Sequence, residues 1–295
     1  METHQALEGV FALLLTPFHP NREIDWTAYD RYVDWQLDQA PHGLFASCGS
    51  SELKHLTASE RLQLARRAVE RAGTVPVVAV ANAEPDVSRH TDDLRRTIDT
   101  GVAAVVLIPP DGLGEDQNRL ADYVAGLAEA NSVPVILYEI PSAKPKDIAP
   151  ATYARLVRET PVCGIKDTSG TLAGTKAKLE AAPQGIVYQA VAPFLLETLQ
   201  SGGRGAMVIV STACCSLVVR LWHEALNGDA SAVQSQYRLT CLNALLELGY
   251  MATAKYLATL GGASMGLTCR TGRSISPMAA RSIEIWHETY RAGDA

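Results

Sequence analysis

Aromatic residues make up only 6% of this 295-residue chain, and basic residues are outnumbered by acidic ones, 26 Lys and Arg against 32 Asp and Glu, for a formal net charge of -6. Both shortages exclude a nucleic-acid partner, because phosphate backbones require a basic surface and unpaired bases require aromatic platforms. Long hydrophobic runs are missing too. The longest apolar stretches, residues 102–110 and 133–138, fall far short of the roughly 20 residues of a membrane-spanning helix, so no membrane association is expected. The N-terminal residues Met1-Glu2-Thr3-His4-Gln5 lack the basic and apolar regions of an export signal. The six cysteines, Cys48, Cys163, Cys214, Cys215, Cys241 and Cys269, form no C-x-x-C pair and show no metal-ligand spacing. Adjacent Cys214 and Cys215 make poor disulfide geometry, so reduced core thiols and a cytoplasmic location are expected.

What the chain does have is apolar content, 47%, enough to bury a large core without disulfide or metal staples. Its length allows one large domain or two. Short apolar runs begin near Val10, Gly43, Pro76, Val102, Pro134, Val162, Ile186 and Gly205, and each of the first seven is followed by a stretch of helical periodicity. Trp26, Tyr29, Tyr32, Val33 and Leu37 mark the apolar face of the first such stretch. Thr57-Ala-Ser-Glu60 fits a capping box opening a helix over 61–71, and breakers such as Gly73 and Asn131-Ser132 precede strands. The runs over 75–80, 102–108 and 133–138 are continuous rather than alternating, which implies burial on both faces, as in a parallel sheet covered by helices. Eight such units predict an α/β fold, a (β/α)8 TIM barrel. The alternative is a doubly wound open sheet, but no Gly-x-Gly-x-x-Gly follows the first strand. After about Ala213 only helical periodicity continues, and Pro277 opens a final helix. The expected organisation is a barrel core over 1–212 and C-terminal helices over 213–295, in a single structural unit.

In such a barrel the reactive groups sit at the C-terminal ends of the strands. The sixth strand ends in Gly164-Ile165-Lys166-Asp167. A lysine directly after a buried run is poorly placed to reach water, and desolvation favours a neutral amine able to attack a carbonyl and form a Schiff base. The structural alternative is a lysine paired with Asp167. The fifth strand ends in Tyr138-Glu139-Ile140-Pro141, whose tyrosine can exchange a proton beside an imine or substrate hydroxyl, or simply pack. The second strand ends in Cys48-Gly49-Ser50-Ser51-Glu52, where small residues expose backbone N–H groups suited to a carboxylate, although such a turn into a helix is common.

Together these three segments resemble the signature motifs of the dihydrodipicolinate synthase/N-acetylneuraminate lyase family, the pyruvate-type class I aldolases and dehydratases. Cys48-Gly49-Ser50-Ser51-Glu52 resembles the family's Gly-[Ser/Thr]-Thr-Gly-Glu loop, Tyr138-Glu-Ile-Pro141 its Tyr-Asn-x-Pro, and Gly164-Ile-Lys166-Asp its Gly-x-Lys-[Asp/Glu]. The separations, 86 residues from Glu52 to Tyr138 and 28 from Tyr138 to Lys166, also fit. The resemblance implies that Lys166 forms the Schiff base with a 2-oxo acid and that Tyr138 shuttles the proton. It further implies that Gly49 and Ser50 bind the 2-oxo carboxylate and that the backbone carbonyl of Met207 faces the pyruvate moiety. It implies no metal and no organic cofactor, the imine on Lys166 being the electron sink. A homotetramer built as a dimer of dimers is the oligomer it implies.

Departures from the family narrow the substrate. The synthases carry an arginine two residues after the motif proline, where this chain has Ala143, between Ser142 and Lys144. Their relay tyrosine after the fourth strand is replaced by Pro109-Pro110-Asp111-Gly112, and Gly49 stands where they have the first of paired threonines. Sialic-acid lyases place polar residues after the seventh strand, where this chain reads Gln189-Ala190-Val191-Ala192-Pro193. A short or weakly polar 4-hydroxy-2-oxo acid or 2-keto-3-deoxy acid is therefore expected, with Ser47, Asp111, Glu139, Ala143, Lys144 and Ala190 as candidate specificity residues. The leading expectation is a lyase that cleaves or forms a C–C bond between pyruvate and an aldehyde. The alternatives are a 2-oxo-3-deoxy sugar acid dehydratase on the same imine, a dihydrodipicolinate synthase, and a catalytically silent 2-oxo acid binder.

Overall fold

In the computed structural model, which describes residues 5–129, 131–140 and 145–292, eight parallel strands close into a barrel in chain order. They are β1 (Gly9–Leu13), β2 (Gly43–Ala46), β3 (Val77–Val80), β4 (Ala104–Leu107), β5 (Val135–Tyr138), β6 (Val162–Asp167), β7 (Ile186–Gln189) and β8 (Gly205–Ala206). Closure is made where Gly9 and Val10 of β1 pair with Gly205 and Ala206 of β8. The open sheet is thereby excluded. Seven helices follow β1 to β7 in turn: α1 (Trp26–Leu37), α2 (Ala58–Ala72), α3 (His90–Ile98), α4 (Gln117–Glu129), α5 (Pro150–Glu159), α6 (Leu172–Ala181) and α7 (Leu195–Gln200). After β8 come α8 (Cys215–Asn227), α9 (Ala232–Glu247), α10 (Ala252–Leu260) and α11 (Pro277–Ala292).

Local chemistry sets these bounds. The capping box is formed, with Thr57 Oγ1 accepting from Glu60 N and the Glu60 carboxylate accepting from Thr57 N. It starts α2 at Ala58, three residues before the apolar periodicity becomes visible. Gly228, with φ 72°, ends α8 in the left-handed conformation that glycine adopts without strain.

Strand residues alternate between two packed layers. Phe11, Leu13, Phe45, Val78, Val106, Ile136 and Tyr188 fill the barrel interior, while Val10, Ala12, Leu44, Val77, Val105, Leu137 and Val187 pack outward under the helices. Interior rings need space from their neighbours. A Cβ on Gly43 would sit 2.2 Å from the Phe11 ring, and one on Gly205 would sit 2.2 Å from the Tyr188 ring. Glycine at these positions lets the two rings meet edge to face, with centroids 5.6 Å apart. All six cysteines are free thiols, five of them buried.

Candidate active site

Lys166 and Tyr138 share one mouth because strand register and strand parity agree. The two residues are direct partners across β5 and β6. Both occupy inward positions of their strands, and Lys166 Nζ lies 4.1 Å from the Tyr138 ring centroid and 5.4 Å from that of Phe45. Lys166 is only 4% exposed. Asp167 does not pair with it. Strand alternation turns Asp167 to the helix side, where Lys178 of α6 meets it at 3.4 Å. Among the described residues Lys166 thus keeps a buried amine against two aromatic faces, with no carboxylate to hold it as an ion pair.

The same parity corrects the expectation for Glu139. One residue beyond Tyr138, it points outward, and its Oε1 accepts from Lys178 Nζ at 2.7 Å while Oε2 accepts from Ile148 N at 3.1 Å. It therefore belongs to a buried triad behind the site and is not a substrate contact. Burial pushes the Glu139 carboxyl up to about 7, an effect that Lys178 only partly offsets. Burial acts the same way on Asp167, but Lys178 and the hydrogen bonds from Ser169 outweigh it and hold that carboxyl below its ordinary value. Of two carboxylates that share one ammonium, Asp167, with added hydrogen bonds from Ser169, keeps its charge, and Glu139 is the one protonated more easily.

The loop after β2 is fixed on three sides. Ser51 Oγ accepts from Cys48 N at 3.0 Å and donates to Leu14 O at 2.6 Å, holding the tight turn Gly49–Ser51 against β1. Glu52, at φ 63°, is fully buried, with Oε1 2.9 Å from Lys255 Nζ and Oε2 accepting from Thr271 N at 2.9 Å. Ser50 Oγ lies 2.6 Å from Tyr250 Oη. Gly49 borders the Tyr138 phenol, since a Cβ there would sit 3.6 Å from Tyr138 Oη. The Gly49–Ser51 turn and the Tyr138 phenol are thus adjacent. Ser47, in contrast, has φ 49° and donates its hydroxyl to Arg61 O at 2.7 Å, tying the loop to α2. Its hydroxyl proton is thereby engaged within the protein.

An open cleft of about 1200 Å³ borders this turn, lined among others by Gly49, Lys54, Asn82, Arg89, Ile108, Pro110, Tyr138, Ile140 and Met251. Asp111 also lines it and meets Lys146 Nζ at 2.7 Å, so the position after β4 carries an ion pair. Asn82 extends the β3–β4 ladder with its side chain, donating to Ile108 O at 2.6 Å and accepting from Ile108 N at 2.9 Å. Its amide also reaches Tyr123 Oη at 2.8 Å. Met207 follows β8 directly and is fully buried, its N–H donating to Gln189 O at 2.9 Å. Ala190 N donates to Asp167 O at 3.0 Å and does not line the cleft. Ala143 and Lys144 lie outside the described residues. Tyr250, Lys178 and Asn82 were not among the candidates read from the sequence. Lys178 lies on α6, beyond the reach of strand parity, and Tyr250 comes from the turn between α9 and α10, 200 residues away from Ser50, with no local signature.

A closed (β/α)8 barrel with an amine and a phenol on adjacent strand ends defines a lyase of the class I, Schiff-base aldolase type. The particular family follows from comparison: the chain belongs to the dihydrodipicolinate synthetase family, whose sequence profile matches residues 6–284. It is 27% identical over 231 residues to a 4-hydroxy-tetrahydrodipicolinate synthase of Cellvibrio japonicus, covering 78% of this chain and 79% of that one. It is also 27% identical over 289 residues to one from Gluconacetobacter diazotrophicus, covering 96% and 95%. Among solved structures the fold is shared with YagE, a prophage protein of E. coli K12 belonging to the dihydrodipicolinic acid synthase family, in complex with pyruvate, at TM-score 0.89 and 21% identity over 96% of this chain and 98% of that one. It is shared equally with the dihydrodipicolinate synthase of Acinetobacter baumannii complexed with pyruvate, at TM-score 0.87 and 19% identity, covering 95% and 98%. Among the described residues no helix is long and apolar enough to cross a membrane.

Proposed function

We propose that the chain joins pyruvate to, or releases it from, an aldehyde through an imine on Lys166, acting on a short or weakly polar 4-hydroxy-2-oxo acid or 2-keto-3-deoxy acid. The observation that carries this reading is the buried, carboxylate-free amine of Lys166 beside the Tyr138 ring. Lys166 attacks C2 of the 2-oxo acid, and loss of water leaves the protonated imine. Tyr138 takes the proton of the C4 hydroxyl as it passes its own to water in the cleft, the C3–C4 bond breaks, and the electrons of that bond pass to the imine nitrogen as the aldehyde departs. Protonation of the enamine at C3 and hydrolysis then release pyruvate. The N–H groups of Gly49 and Ser50 and the Ser50 hydroxyl hold the carboxylate, and the Met207 carbonyl faces the pyruvate carbon chain.

Three features favour an aldehyde other than that of the named synthase relatives. Gly49 supplies no hydroxyl beside Tyr138. Asp111 and Lys146 form an ion pair where those enzymes carry a relay tyrosine. Ile108, Pro110 and Ile140 give the cleft apolar walls. The reading includes a cytoplasmic homotetramer and no metal or organic cofactor. A panel of 4-hydroxy-2-oxo acids, assayed for pyruvate and aldehyde together, tests it. Equimolar release of both, lost in Lys166→Ala, is the expected outcome. Consumption without free pyruvate would establish dehydration instead, and no turnover of any member would leave only a binding role.

A further inference from the structure

Tyr250 takes no part in the chemistry above, yet its hydroxyl lies 2.6 Å from Ser50 Oγ. We propose that Tyr250 is a positioning residue for 2-oxo acid recognition: it donates to Ser50, so that the Ser50 proton is directed to the carboxylate of the bound substrate. The proposal rests on the reading of Lys166 and the cradle given above, and it adds the residue that completes the cradle.

Three observations support it. First, the pair opens to the site. Gly49 and Met251, the chain neighbours of Ser50 and Tyr250, both line the cleft, and Gly49 borders the Tyr138 phenol. Second, donor direction follows from chemistry. A phenol is a stronger donor than an alkyl hydroxyl, and burial pushes the Tyr250 phenol well above its ordinary value, partly offset by Ser50, so it stays protonated and able to donate. A chain of two hydroxyls ending on a carboxylate is cooperative, and its last bond is charge-assisted. Gly49 has no side-chain hydroxyl, so in the Gly49–Ser50 pair the Ser50 hydroxyl is the side-chain donor that Tyr250 orients.

Third, the geometry is held rigidly. Tyr250 sits between α9 and α10, and Lys255, one turn into α10, is bonded to Glu52, two residues after Ser50. Both ends of the Ser50–Tyr250 contact are therefore fastened by a buried ion pair close to each. Met251 takes φ 76°, a conformation costly for a side chain of its size, at the turn that delivers Tyr250 to the loop.

The test is borohydride trapping of imine across a pyruvate titration, read as intact mass, for wild type, Tyr250→Phe, Ser50→Ala and the double variant. Tyr250→Phe should raise the half-saturating pyruvate concentration about 2- to 13-fold, the range for one hydrogen bond between neutral groups, with the saturated trapping rate within about twofold of wild type. Ser50→Ala should do the same, and the double variant should be no worse than Ser50→Ala. Pyruvamide, which lacks the charged carboxylate, should be trapped equally by wild type and Tyr250→Phe. An unchanged half-saturation in Tyr250→Phe, additive effects in the double variant, or an equal loss with pyruvamide would each overturn the role of Tyr250. Absence of any adduct in wild type would instead contradict the assignment of Lys166.

Discussion

A shift of one residue along a strand separates the reaction site from its support. Tyr138 and Lys166 face the barrel interior, while Glu139 and Asp167 face α6 and share Lys178. That Lys166 and Tyr138 share one mouth was legible in the sequence, because each ends an apolar run on consecutive strands, whereas the roles expected of them came from the three motifs together. The direction of Glu139 was also legible, since a period of two places it opposite Tyr138, but judged by polarity alone it looked like a substrate contact. Replacing Tyr138 by Phe should leave imine trapping with pyruvate intact while lowering C–C turnover about 10²- to 10⁴-fold, as expected for removal of a general acid–base. Parallel trapping and turnover assays check this. The triad also predicts a pH effect on stability. Glu139 is raised to about 7 in the fold from an ordinary 4.5, so between those values the native state binds more protons than the unfolded one. Its contribution is fully present below about 4.5, declines as pH rises to about 7, and is flat above. Urea unfolding over that range should lose this slope in Glu139→Gln.

At the scale of elements, the eight strand starts were readable because a parallel sheet buried on both faces demands unbroken apolar runs. Their packing was not readable, since which glycine faces which ring depends on register. Gly164 illustrates this. A Cβ there would lie 2.7 Å from Ile186 O and 2.9 Å from the Tyr188 ring, with no flexible atom free to yield. Gly164→Ala should push β6 away from β7 and carry Lys166, two residues on, with it. We expect a loss of about 1–3 kcal/mol, typical of overpacking, together with slower imine formation at saturating pyruvate. Thermal unfolding and trapping rates measure the two effects separately. An alanine at Gly126, inside α4 where a Cβ meets nothing within 4 Å, should leave the trapping rate unchanged and stabilise the fold by about 0.5–1 kcal/mol through helix propensity.

Across the whole molecule, the helices after β8 act on the site as well as covering the barrel. The Glu52–Lys255 pair is fully buried, and Lys255 Nζ also donates to Thr268 O at 2.7 Å, so the carboxylate loop is bolted to α10 and to the segment before α11. This link spans 203 residues and is carried by single residues with no repeating pattern, which is why periodicity revealed the helices but not their attachment. Lys255→Met should leave Glu52 buried and unpaired, costing about 3–5 kcal/mol, whereas adding Glu52→Gln should restore much of it. Chemical denaturation of the single and double variants distinguishes a paired charge from simple packing. The acidic balance of the chain argues against nucleic acid yet says little about the ligand, because the proposed cradle would hold its anion with backbone N–H groups and a hydroxyl.

The central claim is that Lys166 forms the imine, and reductive trapping with pyruvate and borohydride followed by intact-mass and peptide analysis tests it most directly. One reduced pyruvate per chain, located on the peptide containing Lys166 and absent from Lys166→Arg, is the expected result. No adduct, or an adduct on another lysine that persists in Lys166→Arg, would contradict it.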